Sequence, residues 1–123
     1  SLGSRGLGDV YKRQIYKLLQ ISNKEIVTMA NTDIIIHDEK DNVGVVVIEK
    51  ITPSQDCNCW VMENDKSVQI QSKDEIPLGH KIAMIDLNEG DTILKYGHDI
   101  GKVVKSIKKG EHVHVHNVKT KKW

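Results

Sequence analysis

The sequence IKKGEHVHVHN at residues 107–117 decides the fold prediction, and it holds three of the six histidines of the chain. Its second half alternates histidine with valine, and successive side chains of a β-strand point to opposite faces of a sheet. A strand here therefore places His112, His114 and His116 on one face and the two intervening valines on the other, against a core. Neutral imidazole is the commonest protein metal ligand and also an acid or base near neutral pH. Three histidines in phase thus predict a functional site, with a plain polar strand face as the alternative.

The same stretch begins with a pattern that occurs three times: an apolar residue, two positions, glycine, two positions and another apolar residue. The copies are IPLGHKI at residues 76–82, LNEGDTI at 87–93 and IKKGEHV at 107–113. Each copy predicts a turn whose glycine takes a positive φ, followed by a short strand. In the first copy a short helix from Leu78 to Met84 is the alternative, because Pro77 suits a first helical turn.

The middle of the chain also favours strands. Apolar runs at residues 34–36 and 43–48 are separated by polar turn residues and predict a hairpin, whose second strand is buried on both faces. Residues 57–62 and 67–72 predict two more strands, the latter with Val68 and Ile70 pointing inward. Many short strands with glycine-rich turns predict a compact, barrel-like all-β domain.

The N-terminal residues 1–28 differ from the rest of the chain. Their first half, SLGSRGLGDVYKRQ at residues 1–14, has no periodicity and resembles translated adaptor sequence. We therefore expect residues 1–28 to be a non-native or upstream leader, Met29 to be the natural start, and residues 29–123 to form the domain. An amphipathic helix between Gln14 and Val27 is the competing interpretation.

Composition excludes several classes of function. The chain has 123 residues and a formal charge of +1, enough for one small domain and without a basic patch for nucleic acid. No apolar run approaches the roughly 20 residues of a membrane span. Cys57 and Cys59 are too few for a disulfide framework or a structural zinc, so we expect a packing role and a cytoplasmic protein. The basic tail that ends in Trp123 predicts an anchor on a partner protein.

Several motifs together resemble the SAF domain of the altronate and galactarate dehydratase family, which has a β-clip fold. The resemblance covers residues 33–123, with DNV at 41–43, IPLGHKIA at 76–83, ILKYG at 93–97, IGK at 100–102 and GEHVHVHN at 110–117. In this family the domain either leads a long chain or forms a separate small subunit. The present chain resembles the second arrangement, and its strands and C-terminal residues are similar to those of sulfolactate-cleaving members.

The resemblance implies the small subunit of a two-component lyase that is inactive without its large catalytic subunit. The implied reaction is β-elimination on a 2-hydroxy acid, from (2R)-3-sulfolactate to pyruvate and sulfite. Dehydration of a sugar acid such as altronate or galactarate is an alternative, and a ligand-binding β-clip module without catalytic role is another. A divalent metal, expected to be iron(II) and held mainly with the partner subunit, would act as a Lewis acid.

Candidate site residues follow from these motifs. The catalytic candidates are His80, His112, His114 and His116, of which His114 and His116 are also the expected metal ligands, shared with the partner. The substrate-binding candidates are Lys81, Lys95, Tyr96 and Asn117. Asn117 has an alternative role as a cap of the strand end. His37 and His98 lie in predicted turns, and we expect them to be plain surface groups.

Overall fold

The computed structural model describes residues 6–120, which form two N-terminal helices followed by eleven short strands. The helices are α1 (Gly6–Leu19) and α2 (Asn23–Ala30). The strands are β1 (Ile34–Ile36), β2 (Val43–Val46), β3 (Lys50–Ile51), β4 (Asp56–Val61), β5 (Lys66–Gln71), β6 (Ile76–Pro77), β7 (Lys81–Ala83), β8 (Thr92–Lys95), β9 (His98–Val103), β10 (His112–Val113) and β11 (Val118–Thr120). All strands follow the helices in sequence, so the all-β prediction for the main domain is confirmed.

The strands form three sheets, the largest of which has six strands in the order β10-β7-β2-β1-β4-β5. β1 and β2 pair antiparallel, which confirms the predicted hairpin, and β1 also pairs in parallel with β4. All four residues of β2 are buried, as predicted for a strand covered on both faces. A second sheet has the order β11-β9-β8, and β3 pairs with β6. Segments far apart in sequence thus lie side by side in the large sheet.

The large sheet carries apolar residues on both faces, and different elements cover each face. Ile35 and Trp60 are cross-strand neighbours on one face, where residues of α1 and α2 pack on them. Ile34 and Cys59 are neighbours on the opposite face, in a larger cluster that includes Ile82. A third cluster joins the large sheet to the three-stranded sheet. The core therefore lies on both sides of one sheet.

Both cysteines belong to this core. Cys57 and Cys59 are buried and free, which confirms their packing role. Burial raises the pKa of the Cys57 thiol to about 11 and that of the Cys59 thiol to about 12. Because the thiolate is the nucleophile and the metal ligand, both thiols are inert at neutral pH.

The threefold repeat folds as predicted. Gly79, Gly90 and Gly110 have φ values of +82°, +94° and +92°, and each turn is closed by the backbone N–H of the residue after glycine. The apolar residues that begin and end the copies are all buried, namely Ile76, Ile82, Leu87, Ile93, Ile107 and Val113. The alternative helix at residues 78–84 is wrong, because Lys81–Ala83 pairs as β7 with both β2 and β10.

Two valines differ from their predicted orientation. Val115 is 81% exposed, because the chain leaves β10 after Val113 and residues 114–117 form a turn instead of continuing the strand. Val68 is 41% exposed, because β5 is the edge strand of the sheet and only Ile70 of its apolar residues reaches the core. The alternation of histidine and valine is therefore a strand pattern only at its first two positions.

The N-terminal segment forms two helices where the sequence allowed one. The break between them is local, since Gln20 has a φ of +51° and Ser22 caps α2 in a reciprocal capping box with Glu25. The leader assignment for residues 1–28 stays a prediction, and the predicted anchor Trp123 lies outside the described residues. Within residues 6–120, neither helix has the length and apolar character needed to cross a bilayer.

Candidate histidine site

Three histidines from two distant parts of the sequence come together at the β10 edge of the large sheet. His80 lies in the turn before β7, His112 in β10 and His114 directly after β10. One ring nitrogen of each lies within 4.8 Å of the other two. Nδ1 of His80 is 2.9 Å from Nε2 of His112, and the rings of His80 and His114 stack with centroids 4.2 Å apart. We call these three residues the histidine triad.

Strand pairing creates the histidine triad. β7 and β10 are antiparallel neighbours, with His112 opposite Ile82, so the turn that carries His80 lies next to β10. Gly110 lies in the turn before β10 and has a φ of +92°. A Cβ atom at this position would lie 2.5 Å from the carbonyl oxygen of Gln71. Only glycine fits both the backbone conformation and the close approach. The turn therefore fixes where β10 starts and which ring faces His80.

Two polar side chains hold the backbone of the histidine segment. Asn117 is buried, with Oδ1 accepting a hydrogen bond from the His114 N–H at 3.0 Å and Nδ2 donating to the His112 carbonyl at 2.8 Å. Asp74 Oδ2 accepts a hydrogen bond from the His112 N–H at 2.8 Å. These two hydrogen bonds match the capping role of Asn117 at the strand end, which was the alternative to substrate binding. Sequence reasoning missed Asp74, because 38 positions separate it from His112 and no local motif marks it.

The surroundings of two members of the histidine triad, His80 and His112, favour their neutral rings. Burial lowers the pKa of His80, and the neighbouring His114 and Lys81 lower it further. Burial also lowers the pKa of His112, an effect that nearby histidines increase and that Asp74 opposes. Desolvation and neighbouring positive charge both disfavour imidazolium. Neutral imidazole keeps one nitrogen lone pair available for a metal ion or a proton.

The geometry of the histidine triad can hold a metal ion. Imidazole nitrogen suits zinc, iron, copper and nickel. With metal–nitrogen bonds of about 2.1 Å, two nitrogens at right angles around a metal lie about 3.0 Å apart, and two at a tetrahedral angle about 3.4 Å. The 2.9 Å between the His80 and His112 nitrogens fits the right-angled arrangement. Three protein nitrogens also leave positions open for other ligands, as catalytic metal sites do.

Sequence comparisons connect this site to known proteins. The profile of the altronate/galactarate dehydratase SAF domain matches residues 19–121. The chain belongs to this family. It is 55% identical over 91 residues to the (2R)-sulfolactate sulfo-lyase subunit alpha of Chromohalobacter salexigens, covering 74% of this chain and 97% of that protein.

Two further relatives connect the SAF domain to both reactions considered above. The (2R)-sulfolactate sulfo-lyase subunit alpha of Paracoccus pantotrophus is 46% identical over 65 residues, which cover 53% of this chain and 97% of that protein. The altronate dehydratase of Bacillus subtilis is 53% identical over 53 residues, which cover 43% of this chain and 11% of that protein. The SAF domain thus spans nearly the whole of two relatives and a small part of a third.

Other predicted residues of the SAF domain surround the histidine triad. The exposed His116 has its ring 5.3 Å from that of His112, but its nitrogens are not among the three that lie within 4.8 Å of one another. Lys81 of β7 lines a groove of about 150 Å³ together with His114 and Thr120. The sequence placed His112, His114 and His116 on one face and named His80 as a further catalytic candidate. The structure brings His80 together with His112 and His114, and His116 lies at the rim of this cluster.

Lys95 and Tyr96 lie away from the histidine triad, in a second cavity of the SAF domain. This cavity measures about 210 Å³ and is bounded by α1, by the large sheet and by the end of β8. Tyr96 has a φ of +55°, and its ring stacks on His37 with centroids 3.8 Å apart. Burial lowers the pKa of His37 to about 4, helped by the charge of Lys95. The expectation that His37 is a plain surface group is therefore wrong, whereas His98 is exposed as expected.

The DNV motif supports the turn that carries Tyr96. Asp41 is buried, and its two carboxylate oxygens accept hydrogen bonds from the backbone N–H groups of Tyr96 and Gly97, both at 2.8 Å. Asn42 uses its side chain to bond the backbone of Thr92 and Leu94. These bonds tie β8 to the start of β2, so the motif has a structural explanation in the SAF domain.

Proposed function

We propose that this chain is the small subunit of a two-component lyase that converts (2R)-3-sulfolactate to pyruvate and sulfite. The observation that carries the proposal is the histidine triad, three imidazoles gathered at one sheet edge. Two relatives named (2R)-sulfolactate sulfo-lyase subunit alpha, each covered over 97% of its length, support the same reaction and a large partner subunit. The two free, buried cysteines suit a reducing compartment, and we propose the cytoplasm.

The reaction is a β-elimination. A base removes the proton from C2, the C3–S bond breaks, and sulfite leaves with the bonding electron pair. The resulting enol of pyruvate then takes a proton at C3, loses its hydroxyl proton and becomes pyruvate. A base placed within hydrogen-bonding reach contributes about 10²–10⁴-fold to such a step. We assign the proton transfer to a histidine at this edge, with the exposed His116 beside His112 as the first candidate.

The other site residues have supporting roles in this proposal. His80, His112 and His114 would hold a divalent metal, which we propose to be iron(II), together with groups of the large subunit. Such an ion supplies Lewis-acid stabilisation of negative charge on the substrate carboxylate. Lys81 borders the groove beside His114 and would bind the carboxylate or the sulfonate of the substrate. Asn117 and Asp74 keep the histidine backbone in position.

Reconstitution with the large subunit tests the proposal. The complex of the two chains should release sulfite from (2R)-3-sulfolactate, and His80→Ala and His112→Ala should reduce turnover at least a hundredfold. The same variants should lower the metal content of the purified complex, measured by elemental analysis. His98→Ala is the matched control, since His98 is exposed, lies in β9 of the three-stranded sheet and is not a member of the triad, and it should change neither quantity. A complex that assembles but releases no sulfite would contradict the proposed reaction.

The altronate dehydratase relative supports a second candidate function, dehydration of a sugar acid. Both reactions remove a C2 proton from a 2-hydroxy acid, and they differ in whether sulfite or hydroxide leaves C3. Water loss from altronate or galactarate by the reconstituted complex, without sulfite release from sulfolactate, would favour the dehydratase. Unchanged turnover in the triad variants would instead favour a binding module without catalytic role.

A further inference from the structure

One face of the large sheet is apolar and lies beneath the two N-terminal helices. Ile35, Val45, Val47 and Trp60 are at most 7% exposed there, and Met62 packs against the same cluster. We call these five residues the Trp60 face. Tyr11 and Ile15 of α1 pack on it, and Met29 of α2 is fully buried in the same cluster. The face therefore includes one large aromatic residue and packs against apolar side chains of both helices.

Two helices pack on the Trp60 face, and one of them, α1, lies outside the part of the chain that the family profile matches. The family profile begins to match at residue 19, where α1 ends. The 91 matched residues cover 97% of the Chromohalobacter relative, so only a few residues of that protein lie outside the match. Helix α1 alone has 14 residues. A relative of that length that spans the matched domain has no residues left to form a counterpart of α1. Exposed apolar surface that includes an aromatic residue is typical of protein–protein interfaces.

We propose that the Trp60 face is the surface on which the large subunit docks, and that α1 occupies this surface in the present chain. This inference rests on the proposed function, because it requires a large subunit. The occupant is an apolar segment of that subunit, with a size and shape similar to α1. Lys95 lies half-buried at the border of the face, next to Tyr96, so the segment carries a carboxylate near this ammonium group.

The Trp60 face is continuous with the histidine site. Val45 of the face is the cross-strand partner of Lys81 in β7. Lys81 in turn lines the groove that contains His114. A large subunit docked on the Trp60 face thus reaches the border of the groove on the neighbouring strand β7. The position explains how one partner could both cover apolar surface and supply the remaining groups of the site.

Gly8 provides a way to remove α1 without changing the Trp60 face. It is buried against the connection between β2 and β3, where a Cβ atom would lie 3.0 Å from the backbone nitrogen of Glu49 and 3.1 Å from the Cα of Ile48. A leucine at this position has no space and pushes the helix away. Val10→Leu is the matched control, because Val10 is 48% exposed on the same helix and tolerates a larger side chain.

The experiment measures the affinity of full-length variants for the purified large subunit, with hydrogen exchange of residues 6–19 to report whether α1 is displaced. We expect Gly8→Leu to displace α1 and to tighten binding of the large subunit at least tenfold. While α1 occupies the surface, the apparent affinity is reduced in proportion to the fraction of molecules whose surface is uncovered. Val10→Leu should bind as the wild type does. Adding Met62→Glu to Gly8→Leu should abolish the gain, because it places a charge on the face.

Each outcome decides the inference. Unchanged or weaker binding by a variant whose α1 is displaced overturns the docking surface, even if the complex releases sulfite and the proposed function holds. If Gly8→Leu leaves α1 protected, Ile15→Asp removes an apolar contact of the helix with the face and supplies the displaced state for the same comparison. Failure of every variant and of the wild type to bind the large subunit overturns the proposed function as well.

Discussion

Replacing Asn117 with alanine should destabilise the domain and disrupt the histidine triad at the same time. The side chain is 7% exposed and makes two hydrogen bonds, one with the N–H of His114 and one with the carbonyl of His112. Each such bond contributes about 0.5–1.5 kcal/mol, and a buried group left without a partner costs more. We therefore expect a loss of about 2–3 kcal/mol in the free energy of unfolding, or about 10 °C in Tm.

The functional effect of Asn117→Ala follows from the same two bonds. Without them the turn at residues 114–117 is free to continue as a strand, which would move His114 away from His80. Removing groups that orient metal ligands typically costs 10–100-fold in metal affinity or activity. Urea unfolding of the chain and turnover of the reconstituted complex measure the two effects. Asn88→Ala is the control, because Asn88 occupies an exposed turn position in the second repeat copy.

The combination of results distinguishes the two roles considered for Asn117. A positioning residue affects stability and turnover together, and it lowers kcat more than it raises KM. A direct substrate ligand would raise KM with little change in the urea midpoint. Asn117→Ala with wild-type stability would refute the assignment of these hydrogen bonds as a stabilising element.

Three further predictions concern other parts of the fold. Gly110→Ala should lower the free energy of unfolding by about 2–4 kcal/mol, and Gly90→Ala by only about 1–2 kcal/mol. Both glycines have nearly the same positive φ, but only Gly110 lies close to another backbone segment. Equal urea midpoints for the two variants would contradict this explanation. Asp41→Ala should lower the free energy of unfolding by about 3–4 kcal/mol, because it removes a buried carboxylate that accepts two short backbone hydrogen bonds. Asp41→Glu should restore little of this stability, and calorimetry measures both variants. His37 titrates near 4 in the folded chain and near 6.5 when unfolded, so the unfolded state binds more protons between these values and the free energy of unfolding falls as pH decreases from 6.5 towards 4. His37→Phe should make that decline shallower in urea titrations at pH 7 and pH 5, and an unchanged slope would show that His37 does not contribute.

The sequence was sufficient for the parts of the fold that depend on local chemistry. The three glycine turns were predictable because a glycine between apolar residues at fixed spacing has few other uses, and all six of the apolar residues are buried. The hairpin of β1 and β2 was predictable for the same reason, since β-branched runs flank a polar turn. The end of β10 could not be predicted, because the alternation of histidine and valine is typical of a longer strand. The two hydrogen bonds of Asn117 stabilise a turn there instead.

The histidine triad could be predicted only in part, because it depends on which repeat copies pair. The first and third copies become β7 and β10, which are neighbours in the large sheet, whereas the second copy becomes β8 in the three-stranded sheet. His80 comes from the first copy and His112 from the third, and the second copy, LNEGDTI, contains no histidine. Histidines therefore occur in the two copies that pair with each other. The repeat explains the turns, but the histidine triad forms because β7 and β10 pair with each other. No pattern within a single copy predicts which strand it pairs with.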